Sequence, residues 1–191
     1  METIVRERFA ESISVKQSLA ADEQLVAMIV RIARDVIEAL NKGNKVIFAG
    51  NGGSFADSIH LSAEFLSRYQ RERAPLASVA LGANNSTLTA IGNDYGYDNI
   101  FAREIEALAR AGDVFIGLST SGNSMNVVKA VEMAKYLGIT TYCLTGESGG
   151  KLNELVECVR VPSNVTARIQ ESHILIGHVI CELVEEHFVA K

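Results

Sequence analysis

Hydrophobic and polar positions along this chain follow two rhythms. Over roughly the first forty residues, apolar positions recur every three or four residues. Val5, Phe9 and Ile13 mark one helix. Leu25, Met28, Ile29, Ile32, Val36 and Leu40 mark a second with a cleaner stripe. Asp22 stands where an N-cap would open that second helix, and Gly43 where a glycine would close it. These helices precede any strand and could pack on a sheet or on another subunit.

After Gly43 the rhythm changes. Short apolar, β-rich runs follow at 45–49, 76–81, 113–118, 140–144 and 158–161. Helical patterns separate them at 54–69, 84–91, 99–111, 123–137 and 150–155, and a last helix covers 166–187. Strands alternating with helices predict an α/β fold in three layers, a parallel sheet of about five strands flanked by helices. No repeat, low-complexity tract or linker interrupts the pattern. The expectation is one domain over 1–191, with 1–43 as a helical extension packed with it.

Composition narrows the picture. The chain has 191 residues, 48% of them hydrophobic and 21% charged, enough apolar material for a sizeable core. The net charge of −5 argues against a nucleic-acid partner. Arg68, Arg71 and Arg73 form the densest basic cluster, and Glu72 interrupts it. No apolar run approaches the ~20 residues of a membrane span. The amino-terminal stretch lacks the apolar core of a signal peptide. Cys143, Cys158 and Cys181 are odd in number, far apart and set in apolar stretches. They read as buried reduced thiols, which points to a reducing compartment and a cytoplasmic location.

Chemistry concentrates in the turns. In open parallel sheets, ligands bind beyond the carboxyl ends of the strands. The third apolar run ends at Leu118 and leads into Ser119-Thr120-Ser121-Gly122-Asn123-Ser124, where a helix begins. Hydroxyls clustered around a glycine at a helix N-terminus make an anion cradle, because free N–H groups and the helix dipole face the anion. A capping loop needs only one such residue. The Walker spacing is absent, so this is not a P-loop. The first run leads into Gly50-Asn51-Gly52-Gly53-Ser54, which is not the dinucleotide fingerprint. It suits either close backbone approach to a ligand or a tight turn with Ser54 as helix cap. Two such loops at neighbouring strand ends favour a shared site. Residues 92–96, Gly-Asn-Asp-Tyr-Gly, read as a third polar turn.

Two helices add titratable groups. His60 and Glu64 are four apart and share a helical face. Gln170 and His178, eight apart, lie about 80° from one another around a helix and can border one cleft. Two imidazoles and a carboxylate suit acid–base chemistry or a divalent metal such as zinc; glutamine is an uncommon ligand. His173 reads as packing and His187 as exposed near the terminus.

Together these strings resemble the SIS (sugar isomerase) domain family and, within it, the phosphoheptose isomerases. The matching strings are GNGGS at 50–54, His60-x-x-x-Glu64, GND at 92–94, STSGNS at 119–124, LTG at 144–146 and RIQESH at 168–173 followed by His178. The resemblance implies a flavodoxin-like sheet and a homotetramer with active sites between subunits. It implies interconversion of sedoheptulose 7-phosphate and D-glycero-D-manno-heptose 7-phosphate, the entry to ADP- or GDP-heptose for bacterial surface polysaccharide. Sugar-phosphate contacts carry over to Asn51, Gly52, Gly53, Ser54, Glu64, Asn93, Asp94, Ser119, Thr120, Ser121, Ser124 and Gln170. His60, Glu64, Gln170 and His178 carry over as a zinc site, one ion per subunit, with Glu64 and His178 as the catalytic pair. Some relatives have an acidic residue where this chain has Ala167, so that position is not required here.

Three rival readings stand beside this one. A non-enzymatic SIS-domain protein, resembling the replication initiator-associating protein, need not retain Glu64 and His178, and both are present here. A sugar-phosphate sensor would carry a basic helix-turn-helix, which the acidic first helices do not resemble. An isomerase of another sugar phosphate would share the fold and the chemistry.

Overall fold

The computed structural model describes residues 1–189. The five apolar runs become β1 (Val46–Gly50), β2 (Ser78–Ala80), β3 (Val114–Ser119), β4 (Thr140–Thr145) and β5 (Cys158–Arg160). They form one parallel sheet in the order β2-β1-β3-β4-β5. Every residue of β1 and β3 is buried. Helices cover both faces, so these strands read as continuous apolar runs rather than alternating ones. Most strands extend slightly past the apolar run into Gly50, Ser119 and Thr145, because ladder hydrogen bonds rather than apolarity set their ends. The edge strand β2 shrinks to three residues.

Helices α1 (Glu2–Ala21) and α2 (Glu23–Asn41) come first, and α3 (Gly53–Leu66) follows β1. Helices α4 (Asn85–Tyr95) and α5 (Ile100–Leu108) lie between β2 and β3. Helices α6 (Met125–Tyr136), α7 (Leu152–Leu155) and α8 (Thr166–Val189) complete the chain. Asp22 caps α2 as expected, its carboxylate accepting from the N–H groups of Gln24 and Leu25 at 3.0 Å each. Side chains alternate across the sheet. Phe48, Ile116 and Leu144 face a core shared with α2, α3 and α8. Ile47, Phe115 and Cys143 face one shared with α5 and α6.

Two expectations change. The polar turn at 92–96 is mostly helix, because α4 runs on through Asn93 and Asp94 to Tyr95 and stops at Gly96, whose φ is +84°. A short 3-10 turn, Tyr97–Asn99, then joins α4 to α5. The apolar stripe of α1 finds no sheet within this chain: Val5, Phe9 and Ile13 remain 54–66% exposed, and Leu19 is the one buried residue of that helix.

Strand order sets the location of the site. Outward from β1 the chain goes to β2 on one side and to β3 on the other, so the order reverses between β1 and β3. The carboxyl ends of that pair form the crevice where ligands bind in open α/β sheets. Register places Gly50 opposite Leu118, so the GNGGS and STSGNS turns leave the sheet side by side.

Candidate active site

The STSGNS loop closes on itself. Gly122 N–H donates to Ser119 O at 3.0 Å, and the Ser119 and Ser124 hydroxyls meet at 2.9 Å. Ser124 occupies the N-cap position of α6 without capping through its side chain. The N–H groups of Met125 and Asn126 therefore remain for an anion, while that of Val127 donates to Asn126 Oδ1 at 3.0 Å. The loop rests on the turn after β4. A methyl group on Gly122 would sit 2.0 Å from Gly149 O, and one on Gly150 would sit 2.5 Å from Ser121 O. Gly122 also has φ +67°, so both conformation and space demand glycine there. Gly146 of the LTG string donates its N–H to Thr120 O at 3.0 Å. A cleft of about 320 Å³ lies beside the loop, lined by Thr120, Ser121, Asn123, Gly146, Ser163 and Thr166 among others. Clefts of about 430 and 500 Å³ at the β5 edge, near Met28 and Cys158, have no comparable loop beside them; volume alone does not locate the chemistry.

The first turn is tied to this loop by a pair of amides. Asn51 and Asn126 exchange two hydrogen bonds, each 2.8 Å. The Tyr97 hydroxyl donates to Asn51 Oδ1 at 2.9 Å. Asn51 is thus committed to joining the two turns. Its partner Asn126 escaped sequence reading because a single asparagine inside a helix carries no signal. Gly52, at φ +56°, is the N-cap of α3. Ser54, read as a possible cap, is instead buried inside the first turn of that helix, where its carbonyl accepts from Ser58. A methyl on Gly53 would stand 2.6 Å from Gln170 Nε2, so α8 reaches the same turn. Asn93 and Asp94 lie exposed near the end of α4, bonded to one another at 2.8 Å.

The candidate acid–base residues gather where α3 meets α8. His60, Glu64 and His178 bring one potential ligand atom each within 4.8 Å of the others. His60 Nε2 lies 3.0 Å from Glu64 Oε1, and the His60 and His178 rings meet edge to face at 5.0 Å. His178 Nε2 is buried and has no hydrogen-bond partner. A buried ring nitrogen without donor or acceptor is costly unless something else occupies it. The donor set, two imidazoles and a carboxylate, fits zinc. Burial and the neighbouring His60 lower the His178 pKa, partly offset by Glu64. A neutral imidazole is the form that ligates a metal. Asp57, near His60 on α3, has its carboxyl pushed up by burial, and its Oδ2 is buried without a partner.

His173 packs, as its sequence context suggested. It is fully buried, Nε2 meets Thr145 O at 3.1 Å, and burial lowers its pKa to about 4. His187 is half-buried rather than exposed, with Nε2 3.1 Å from the Asn41 amide. Sequence reading also missed Tyr69, whose ring lies 5.5 Å from that of His178.

Comparisons with known proteins show the family to which this fold belongs. The SIS domain family model matches residues 9–146. Phosphoheptose isomerase 2 of Campylobacter jejuni is 50% identical over 192 aligned positions, covering 100% of this chain and 96% of that protein. Phosphoheptose isomerase of Aneurinibacillus thermoaerophilus is 51% identical, covering 97% of this chain and 94% of that one. The solved phosphoheptose isomerase of Neisseria gonorrhoeae superposes with a TM-score of 0.91 at 42% identity, over 97% of this chain and 98% of that one.

Proposed function

The chain belongs to the SIS domain family, among the phosphoheptose isomerases, and from that premise we propose that it interconverts sedoheptulose 7-phosphate and D-glycero-D-manno-heptose 7-phosphate. The observation that carries this reading is the meeting of His60, Glu64 and His178 on the two helices that also frame the phosphate-type turns.

The reaction moves a hydrogen between C1 and C2 and exchanges which oxygen is the carbonyl. The phosphate sits in the loop from Ser119 to Ser124, with Thr120 and Ser121 adding hydroxyl donors. Its binding energy fixes the far end of the sugar and orients the reacting carbons. Glu64 takes the proton from C1 of the ketose, leaving an enediolate with its charge on O2. The neutral His178 ring takes the O1 hydroxyl proton and delivers it to O2, and Glu64 returns its proton to C2 as the C1 carbonyl forms. No proton is gained or lost over the cycle. Asn51, Gly52, Gly53, Ser54 and Gln170 shape the first turn around the substrate, and Asn93 and Asp94 contribute from α4.

His60, Glu64 and His178 would hold one zinc ion per subunit, with Gln170 as a further donor. When bound, zinc would polarise the sugar carbonyl as a Lewis acid. A carboxylate held by a cation is a weaker base, so metal ligation and proton abstraction would compete for Glu64.

The unit extends over 1–191 as one domain with 1–43 as its helical part, and it assembles as a homotetramer with sites between subunits. The exposed apolar residues Val5, Phe9 and Ile13 on α1, with Leu175 and Val179 on α8, support the assembly. The three free cysteines favour the reducing cytoplasm, and no described helix is long and apolar enough to cross a membrane. The product would feed ADP- or GDP-heptose synthesis for surface polysaccharide.

The test is sedoheptulose 7-phosphate turnover by purified protein, with and without added zinc and with coupled detection of the aldoheptose phosphate. Product formation is expected. No product in either condition overturns the assignment.

A further inference from the structure

Helix α3 ends at Leu66 without the glycine that usually takes up its last carbonyls. Arg73 takes them instead. Its Nη2 donates to Glu64 O at 2.7 Å, and its Nη1 donates to Phe65 O at 3.0 Å and Ser67 O at 3.3 Å. The Arg73 side chain is only 3% exposed, and its Nε lies 3.4 Å from Glu185 Oε1, itself 4% exposed. Glu185 accepts the backbone N–H groups of Tyr69, Gln70 and Arg71, all at 2.8 Å. One buried ion pair therefore clamps the end of α3 and its following loop onto α8.

This clamp lies next to the chemistry. Glu64, whose carbonyl Arg73 holds, is in the acid–base cluster. Glu185 is two turns beyond His178 on the same face of α8. The loop that Glu185 holds places the Tyr69 ring against the His178 ring. A buried ion pair is weak evidence for stability, since apolar residues of similar volume often serve as well. Here the pair also fixes the approach of the two helices that carry the cluster.

We propose that Arg73 and Glu185 are positioning residues of the active site, holding Glu64 on α3 and His178 on α8 at the separation that zinc binding and proton transfer require. The proposal rests on the functional reading above. Both side chains are buried between α3 and α8, away from the Ser119–Ser124 loop, so their effect falls on metal affinity and kcat rather than on phosphate binding.

The test compares Arg73→Lys and Glu185→Gln with wild type, and with Lys45→Met as control. Lys45 pairs at 2.6 Å with the fully buried Asp113 at the opposite end of the sheet. Zinc affinity is read by competition with a chelator, and kcat and KM with sedoheptulose 7-phosphate. Both variants are expected to lose zinc affinity and kcat by about 10–100-fold, the range for groups that orient metal ligands, with KM nearly unchanged. Lys45→Met should lower thermal stability and leave zinc affinity intact. If Arg73→Lys or Glu185→Gln does not fold, Glu185→Asp keeps both charges but draws the carboxylate back from Arg73 and the loop N–H groups, and should still weaken zinc binding. Folded variants that bind zinc and turn over like wild type overturn the proposal. So does a control that reproduces their losses, or a wild type that binds no zinc. Absence of turnover in a zinc-binding wild type strikes the functional reading alone, because the zinc competition still separates variants from control.

Discussion

The two halves of the site are built differently. The half proposed to hold phosphate is one contiguous loop, Ser119 to Ser124, whose backbone closes on itself and is braced by the Gly149-Gly150 turn. The acid–base half joins His60 and Glu64 to His178, more than a hundred residues later, and exists only because α3 and α8 pack together. A backbone cradle tolerates the loss of any one hydroxyl but not of its glycine. A side-chain cluster is the reverse: each member matters, and the backbone between them is free to vary. Substitutions in the first half should therefore act on KM, and those in the second on kcat.

Four substitutions sharpen that contrast. The largest effect is expected for His178→Gln, which should lower kcat by about 10²–10⁴-fold, the range for a general acid–base group, with KM little changed. Steady-state kinetics would check it; a KM effect of the same size would blur the division. Next is Gly122→Ala, which places a methyl against Gly149 O at a positive φ. It should cost about 2–4 kcal/mol of stability and raise KM strongly, measured by thermal melting and substrate titration.

The third concerns pH. His173 has a folded pKa of about 4 against an ordinary value of 6.5, so between those values the unfolded chain binds the proton and the folded protein does not. Its contribution is intact above pH 6.5 and is lost as pH falls toward 4, by about 3 kcal/mol in all. His173→Gln should flatten that loss in urea unfolding at a series of pH values. The smallest effect is expected for Asn126→Ala, which leaves the Asn51 amide without its reciprocal partner. It should cost about 1–2 kcal/mol and raise KM modestly, because it loosens the join between the two turns without touching the acid–base residues.

Legibility in the sequence followed the same division. The alternation of helices and apolar runs gave the parallel sheet, and STSGNS announced its loop through local composition. His60 and Glu64 were visible as a pair because one helix turn joins them. The link to His178 was supplied by family resemblance, since spacing alone cannot show that two distant helices touch. Residues 92–96 misled because Gly92, Asn93 and Asp94 are turn formers, yet α4 continues through them. Asn126, Tyr69 and Glu185 were silent because their roles depend on partners distant in sequence, and Arg73 was visible only as a member of a basic cluster, not as the group that holds the end of α3. The stripe on α1 was read correctly as apolar, but no periodicity could say that it stays exposed rather than packing on the sheet of its own chain.

The most direct test of the account is the turnover of sedoheptulose 7-phosphate by Glu64→Gln beside wild type, with folding of both verified by circular dichroism. The account predicts a folded variant whose kcat falls by about 10²–10⁴-fold while KM stays near the wild-type value. A folded Glu64→Gln protein that turns over substrate at the wild-type rate would contradict it, because the proton transfer would then belong to another group.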